Sequence, residues 1–389
     1  MGETCSKDQV VDQGEADRLI QEKQKALELH RPEKYPQAES VIPVKEMAKP
    51  SERALMREHA LQPFEGKATE DEMFEELGVQ RLGIYKYENG DTYNGHYLLG
   101  KKEGRGKQVE HDGSIYDGYW RENAKCGFGR MIHADGDWYE GEFKNGVQEG
   151  KGVYYSSDGV IISGDWINNQ LNGEGEEIHA HRLTYQGGFK NSLKNGKGVI
   201  EWTDGTKYEG DFVDNELEGK GKYTWEDGRV YEGDWKRSKM EGKGKYTWTD
   251  GRYYEGAYQD GLKHGRGLMN WYGKRFYTGE WERGKQHGTG YEITEGEVKK
   301  GKFEEGVMIV DETHEGLVEE LVKYDPYFKD LKEDMQTFSP DNAEEDDEEV
   351  NDDPDDADPN QPEDAKRNIA QAKPLPGDKN SSPAVKPRA

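Results

Sequence analysis

The chain has 389 residues, of which 31% are hydrophobic and 35% charged, a balance that excludes one large globular core. An aromatic share of 11% is too high for a wholly disordered chain, so part of it folds. The net charge of −27 argues against a direct nucleic-acid binder, which needs a basic footprint, and against general attraction to anionic lipid.

The N-terminus reads Met1-Gly2-Glu3-Thr4-Cys5-Ser6. Gly2 with Ser6 fits a loose myristoylation pattern, and Cys5 could carry a palmitate. Glu3 stands where acylation motifs exclude an acid. No apolar run reaches the length of a membrane-spanning helix, and the start lacks the apolar core of a secretory signal. Cys5 and Cys126 are too few for a disulfide framework, which suits a reducing, cytoplasmic setting.

Residues 1–80 are polar and expected to be helical in pieces. Ala16 to His30 is one candidate helix, and the prolines from Pro32 to Pro50 interrupt the stretch beyond it. Ser51 to Leu61 is a stronger one, with Ser51 as its cap. A third piece spans Thr69 to Leu77.

Residues 81–308 are governed by a 23-residue period. Tyr-x-Gly begins at Tyr93, Tyr116, Tyr139, Tyr185, Tyr208, Tyr231, Tyr254 and Tyr277, with Ile162 in the one missing place. An aromatic comes two places after each glycine, for example Phe212 after Gly210 and Trp235 after Gly233. A Gly-x-Gly pair comes next, as in Gly219/Gly221 and Gly242/Gly244. Residues at i, i+2 and i+4 share one face of a strand, so tyrosine, glycine and aromatic align there. The bare Gly-x-Gly backbone on the neighbouring strand is where a ring can lie flat. Asp-Gly pairs such as Asp204-Gly205, Asp227-Gly228 and Asp250-Gly251 mark tight two-residue hairpin turns between units. Each unit is therefore one β-hairpin. Nine full units are expected, and a tenth decays after Lys299, Gly301 and Phe303.

The expected fold is mainly β: an elongated, twisted antiparallel ribbon of stacked hairpins with short flanking helices. Residues 311–337 read as helical from the spacing of Leu317, Leu321 and Tyr324. Residues 338–389 read as a disordered acidic and proline-rich tail.

The unit Tyr-Glu-Gly-Asp-Trp…Met-Glu-Gly-Lys-Gly, Tyr231 to Gly244, resembles the MORN repeat. That resemblance implies a non-catalytic scaffold that binds other proteins. Repeats followed by an acidic tail look like radial spoke head proteins of the ciliary or flagellar axoneme. It implies a cytoplasmic, cytoskeletal location and partners within a large axonemal assembly. The alternative it leaves is a membrane- or cortex-associated tether that binds anionic lipid. An open ribbon could also pair with a second copy as a homodimer.

No catalytic constellation and no cofactor site is read from the sequence. Gly-x-Gly lacks the strand-to-helix setting of a phosphate loop. His179 and His181 are close enough for a weak metal site but have no companion cysteine. His264 and His287 share one repeat position, which reads as a surface consensus. Trp202, Trp225, Trp248 and Trp271 recur at 23 residues only in the later units. They are either core or an exposed docking stripe, and they are the expected partner surface.

Overall fold

The computed structural model describes residues 49–61, 80–271, 275–294, 297–314 and Leu317. The acylation candidates Gly2 and Cys5, the helices expected at 16–30 and 69–77, and the tail lie outside them. So does the helix expected over 311–337, apart from Leu317 and the residues up to 314.

One helix is described, α1 (Glu52–Ala60). It begins where expected: the Ser51 Oγ accepts from the Ala54 amide at 3.0 Å, satisfying a first-turn donor. The strands run antiparallel in hairpin order and fall into two compact units. The first unit holds eight, from β1 (Gln80–Lys86) to β8 (Val160–Ile167), together with α1. The second holds thirteen, from β9 (Gln170–His179) to β21 (Val307–Asp311). β1 has no counterpart in the sequence reading, because its Leu-Gly-Ile-Tyr lacks the tyrosine and glycine register.

The turns exchange the roles that the sequence suggested. The Asp-Gly corner is a three-residue loop: the Trp225 amide donates to the Arg229 carbonyl and the Gly228 amide to that of Trp225, both at 2.9 Å. Only Gly228 is left-handed there (φ 91°), the signature of a type I turn closed by a G1 bulge. The two-residue turn lies at the other end, between β12 (Lys207–Val213) and β13 (Glu216–Thr224). Asp214 and Asn215 both have positive φ, 48° and 70°, as a type I′ turn demands. Asn215 also stitches adjacent hairpins. It donates its amide to the Lys194 carbonyl at 3.0 Å and accepts the Lys194 amide on Oδ1 at 2.8 Å. Ser238 does the same for Leu217.

The first glycine of each pair is used for a bulge, not for a ring. Between β12 and β13 the register steps from Gly210↔Gly221 to Asp211↔Glu218. The skipped Gly219 is left-handed at φ 63°. The Lys220 amide freed by the bulge donates to Asp211 Oδ2 at 3.0 Å.

In the first unit α1 lies on the face opposite the repeat tyrosines. Ala54 packs with Ile115, Ile132 and Trp138, and Trp138 stacks on Tyr155 at 3.9 Å. In the second unit the corresponding face carries a small cluster of Leu268, Phe276 and Ile293 towards its C-terminal end.

Candidate partner-binding surface

The repeat tyrosines occupy one face of each unit and fill it. Tyr231 is fully buried, and its ring meets Trp235 of its own hairpin at 5.1 Å and Tyr258 of the next at 5.2 Å. Both contacts are edge-to-face. Tyr208 does the same between Phe212 and Trp235, and Tyr254 between Tyr258 and Trp281. In the first unit Tyr93, Tyr116 and Tyr139 obey the same rule, ending on Trp166. Each such contact is worth about 0.5–1.5 kcal/mol beyond burial.

Hydrogen bonds lock the row. The Tyr231 hydroxyl donates to the Asp234 carbonyl at 2.9 Å, and Trp235 Nε1 donates to the Gly221 carbonyl at 3.1 Å. Burial pushes the tyrosine hydroxyls well above their ordinary range. The Tyr-x-Gly glycine and the second glycine of the pair lie beneath each ring. The decaying tenth unit still closes the row, since Phe303 meets Tyr277 at 5.0 Å. This face is its own core and leaves no room for a ligand.

The tryptophan stripe extends that face at the Asp-Gly end. Trp202 is buried and belongs to the core, and its Nε1 has no hydrogen-bond partner. Trp225, Trp248 and Trp271 are half-buried. Trp225 packs on Tyr246 at 5.1 Å, and the guanidiniums of Arg229, Arg252 and Arg275 cover Trp225, Trp248 and Trp271 at 5.5, 5.6 and 4.9 Å. The stripe is therefore largely spoken for by the protein itself.

The opposite face of the second unit is open. It forms a trough of about 1330 Å³ whose floor is the glycine backbone of Gly198, Gly210, Gly221, Gly233 and Gly244. Those glycines pair with one another across successive strands, so the floor is continuous. Its walls alternate in charge. Lys197 pairs with Asp211 at 2.7 Å and Lys220 with Asp234 at 2.5 Å. Partial burial alone would raise the Asp211 carboxyl, but the bonds from Lys197 and the Lys220 amide outweigh it and hold it below the usual range. Glu209, Glu232 and Glu255 alternate with Lys222 and Lys245 along the same trough. Sequence reasoning misses this surface, because its lysines and carboxylates read there as ordinary solvated positions. Their recurrence at 23 residues is the signal that could have found it.

The remaining expected positions have structural roles. The His179 imidazole bonds to Glu177, which also takes Lys194 Nζ at 2.6 Å. Glu177 and Lys194 are both buried. Burial would raise the Glu177 carboxyl, yet bonds from His179 and Lys194 pull it down to about 2. His181 is an exposed turn residue at φ 63°. No group of three or more metal-ligating side chains occurs among the described residues. His264 stands opposite Ala257, and His287 lies 3.4 Å from Glu282. Cys126 is half-buried opposite Tyr119.

The MORN repeat matches eight segments of the chain: 116–138, 139–161, 163–180, 185–207, 208–228, 231–251, 254–273 and 277–293. The hairpin beginning at Tyr93 is not among them, although its tyrosine and glycines are arranged in the same way. No curated protein is found as a relative. Among the solved structures that show a distant likeness are two of low identity. One is the TCP domain of SAS-4 (dCPAP) from Drosophila melanogaster, in complex with a proline-rich motif of Ana2 (dSTIL). It is 12% identical over 57% of this chain and 97% of that one, with a TM-score of 0.19. The other is a streptogramin B lyase, 13% identical over 58% of this chain and 83% of that one, with a TM-score of 0.13. At these scores neither supports an argument about fold or function.

Eight segments of the chain thus match the MORN repeat, a family that is generally non-catalytic. Such repeats point to a role in protein binding or membrane association.

Proposed function

We propose that the protein is a non-catalytic scaffold that binds other proteins across its repeats, as a component of the ciliary or flagellar axoneme such as a radial spoke head. The observation that carries the protein-binding reading is the glycine-floored trough of the second unit. Successive hairpins are two strands apart, about 10 Å, so a segment laid across them meets the same side chains at that interval. The backbone of the floor lies open between the rows of charged side chains. The alternating lysines and carboxylates favour a polypeptide with matching charges.

The same alternation disfavours the membrane reading. Anionic lipid calls for uncompensated basic charge, and here Lys197 and Lys220 are each answered by an aspartate. Trp225, Trp248 and Trp271 serve as a secondary contact, through the parts of their rings left exposed. The axonemal setting rests on the repeat array followed by an acidic tail. Two measurements test the proposal. Quantitative proteomics of detergent-extracted axonemes should find the protein retained, and complete release by detergent overturns the axonemal setting. Flotation with phosphatidylserine vesicles should leave the protein in the pellet fraction. Flotation that Gly2→Ala abolishes replaces the scaffold reading with the tether.

A further inference from the structure

Among the described strands the most exposed apolar one is β21. In β21, Val307 is 64% exposed, Ile309 58% and Val310 45%. Among the described residues β21 pairs with β20 (Glu297–Glu304) alone, so the hydrogen-bonding groups of its outer edge face outward. Acidic residues bracket it: Glu304 and Glu305 before, Asp311 and Glu312 after. An exposed aliphatic edge with neither lysine nor proline is a template for another strand.

A strand of matching chemistry exists in the same molecule. β1 pairs only with β2 (Thr92–Leu98) among the described residues. It exposes Ile84 at 55% and Tyr85 at 51%, and it is bracketed by basic Arg81 and Lys86. Set antiparallel to β21, a register with Arg81 opposite Asp311 brings Tyr85 opposite Val307 and Lys86 beside Glu305. Acid then meets base at both ends, and between them Ile84 meets Met308 and Tyr85 meets Val307. Two copies of β21 paired with each other would instead set Glu304 and Glu305 against Asp311 and Glu312, four like charges in contact at each end.

We infer that β21 of one copy docks antiparallel against β1 of a second copy, so that the protein assembles head to tail. Such a contact is heterologous, so each added copy presents a fresh β1 or β21 edge and the product is a series of oligomers. The contact continues the ladder already running through each unit. It is independent of the trough, which stays open for other partners.

Sedimentation of the full-length chain over a range of concentrations tests this. The wild type should show a ladder of dimer, trimer and larger species that grows with concentration and shrinks with salt. Ile309→Lys and Ile84→Lys, both at exposed positions, should each lose every species above monomer, with circular dichroism and thermal midpoint unchanged. An equimolar mixture of the two should recover a dimer and nothing larger, because each variant retains one competent edge. A dimer of Ile84→Lys alone would mean that β21 pairs with itself. Oligomers that survive both substitutions would place the contact elsewhere. A monomeric wild type with slowly exchanging amides at 307–311 would mean that the chain's own flanking segments cover the edge. Any of these three results overturns the inference. None bears on partner binding in the trough, which is read separately by capture.

Discussion

The Tyr231 hydroxyl stands where a side chain on Gly244 would begin: a Cβ there would lie 2.4 Å from it and 2.5 Å from the ring. The ring is held from both sides by Trp235 and Tyr258, so it has nowhere to retreat. The fit of tyrosine to glycine across two strands is the unit of stability that every repeat copies.

Gly244→Ala should therefore destabilise the second unit by about 2 kcal/mol or more, since overpacking against a fixed ring costs at least that order. Gly83→Ala is the control. Nothing lies within 4 Å of a Cβ there, and the stability should be nearly unchanged. Urea unfolding of both variants reads the difference.

Tyr231→Phe keeps the ring and removes one hydrogen bond, the 2.9 Å link to the Asp234 carbonyl. The loss should be about 1–2 kcal/mol, smaller than for Tyr231→Ala, which also forfeits two ring contacts. Equal losses for the two variants would mean that the hydroxyl and not the ring holds the bulge.

Glu177 gives the protein an acid-sensitive joint. Its carboxyl lies at about 2 in the folded chain against an ordinary 4.5. A depressed pKa contributes stability that is fully present above the unfolded value and lost as pH falls. Stability should drop between about pH 4.5 and pH 2, and Glu177→Gln should flatten that part of the profile. Lys194→Ala should cost about 3–5 kcal/mol at neutral pH, because it strands the buried carboxylate beside His179. Chemical denaturation across pH measures both.

Trp202→Ala should behave as a core truncation and cost about 3–5 kcal/mol. Trp225→Ala should cost less, because its ring is half-exposed, and should weaken partner capture if the stripe is a secondary contact. Thermal midpoints and pull-down yields of the pair separate the two roles.

Much of this was legible in the sequence, and the reason is repetition. Tyr208, Gly210 and Phe212 recur with so little change that their shared strand face is dictated by spacing alone. The α1 cap at Ser51 was equally plain. The turns were not, because Asp-Gly suits both a two-residue turn and a G1-bulge loop. The difference lies in the backbone alone, where Gly228 is the one left-handed residue and closes the loop as a G1 bulge. β1 is not legible in the sequence, because it lacks the repeat's residues and is a strand only by virtue of β2 beside it. For Trp202 the sequence leaves core and exposed stripe equally open. Its burial depends on Tyr223, which reaches it at 5.8 Å from the next hairpin. The trough is not legible in the sequence, because salt-bridged lysines and aspartates look the same there whether they line a groove or face solvent.

The central claim is that the trough of the second unit takes a protein partner. The most direct measurement is site-specific photo-crosslinking in the full-length chain, in cells that make it. The crosslinker replaces Glu232 on the trough wall in one variant and Glu226 in the exposed Asp-Gly loop in the other. Crosslinks to a discrete set of proteins from position 232, abolished by Lys220→Glu with Lys243→Glu while the thermal midpoint holds, are the predicted result. Crosslinks from position 226 alone, or none at 232 from a folded and abundant protein, would contradict the account.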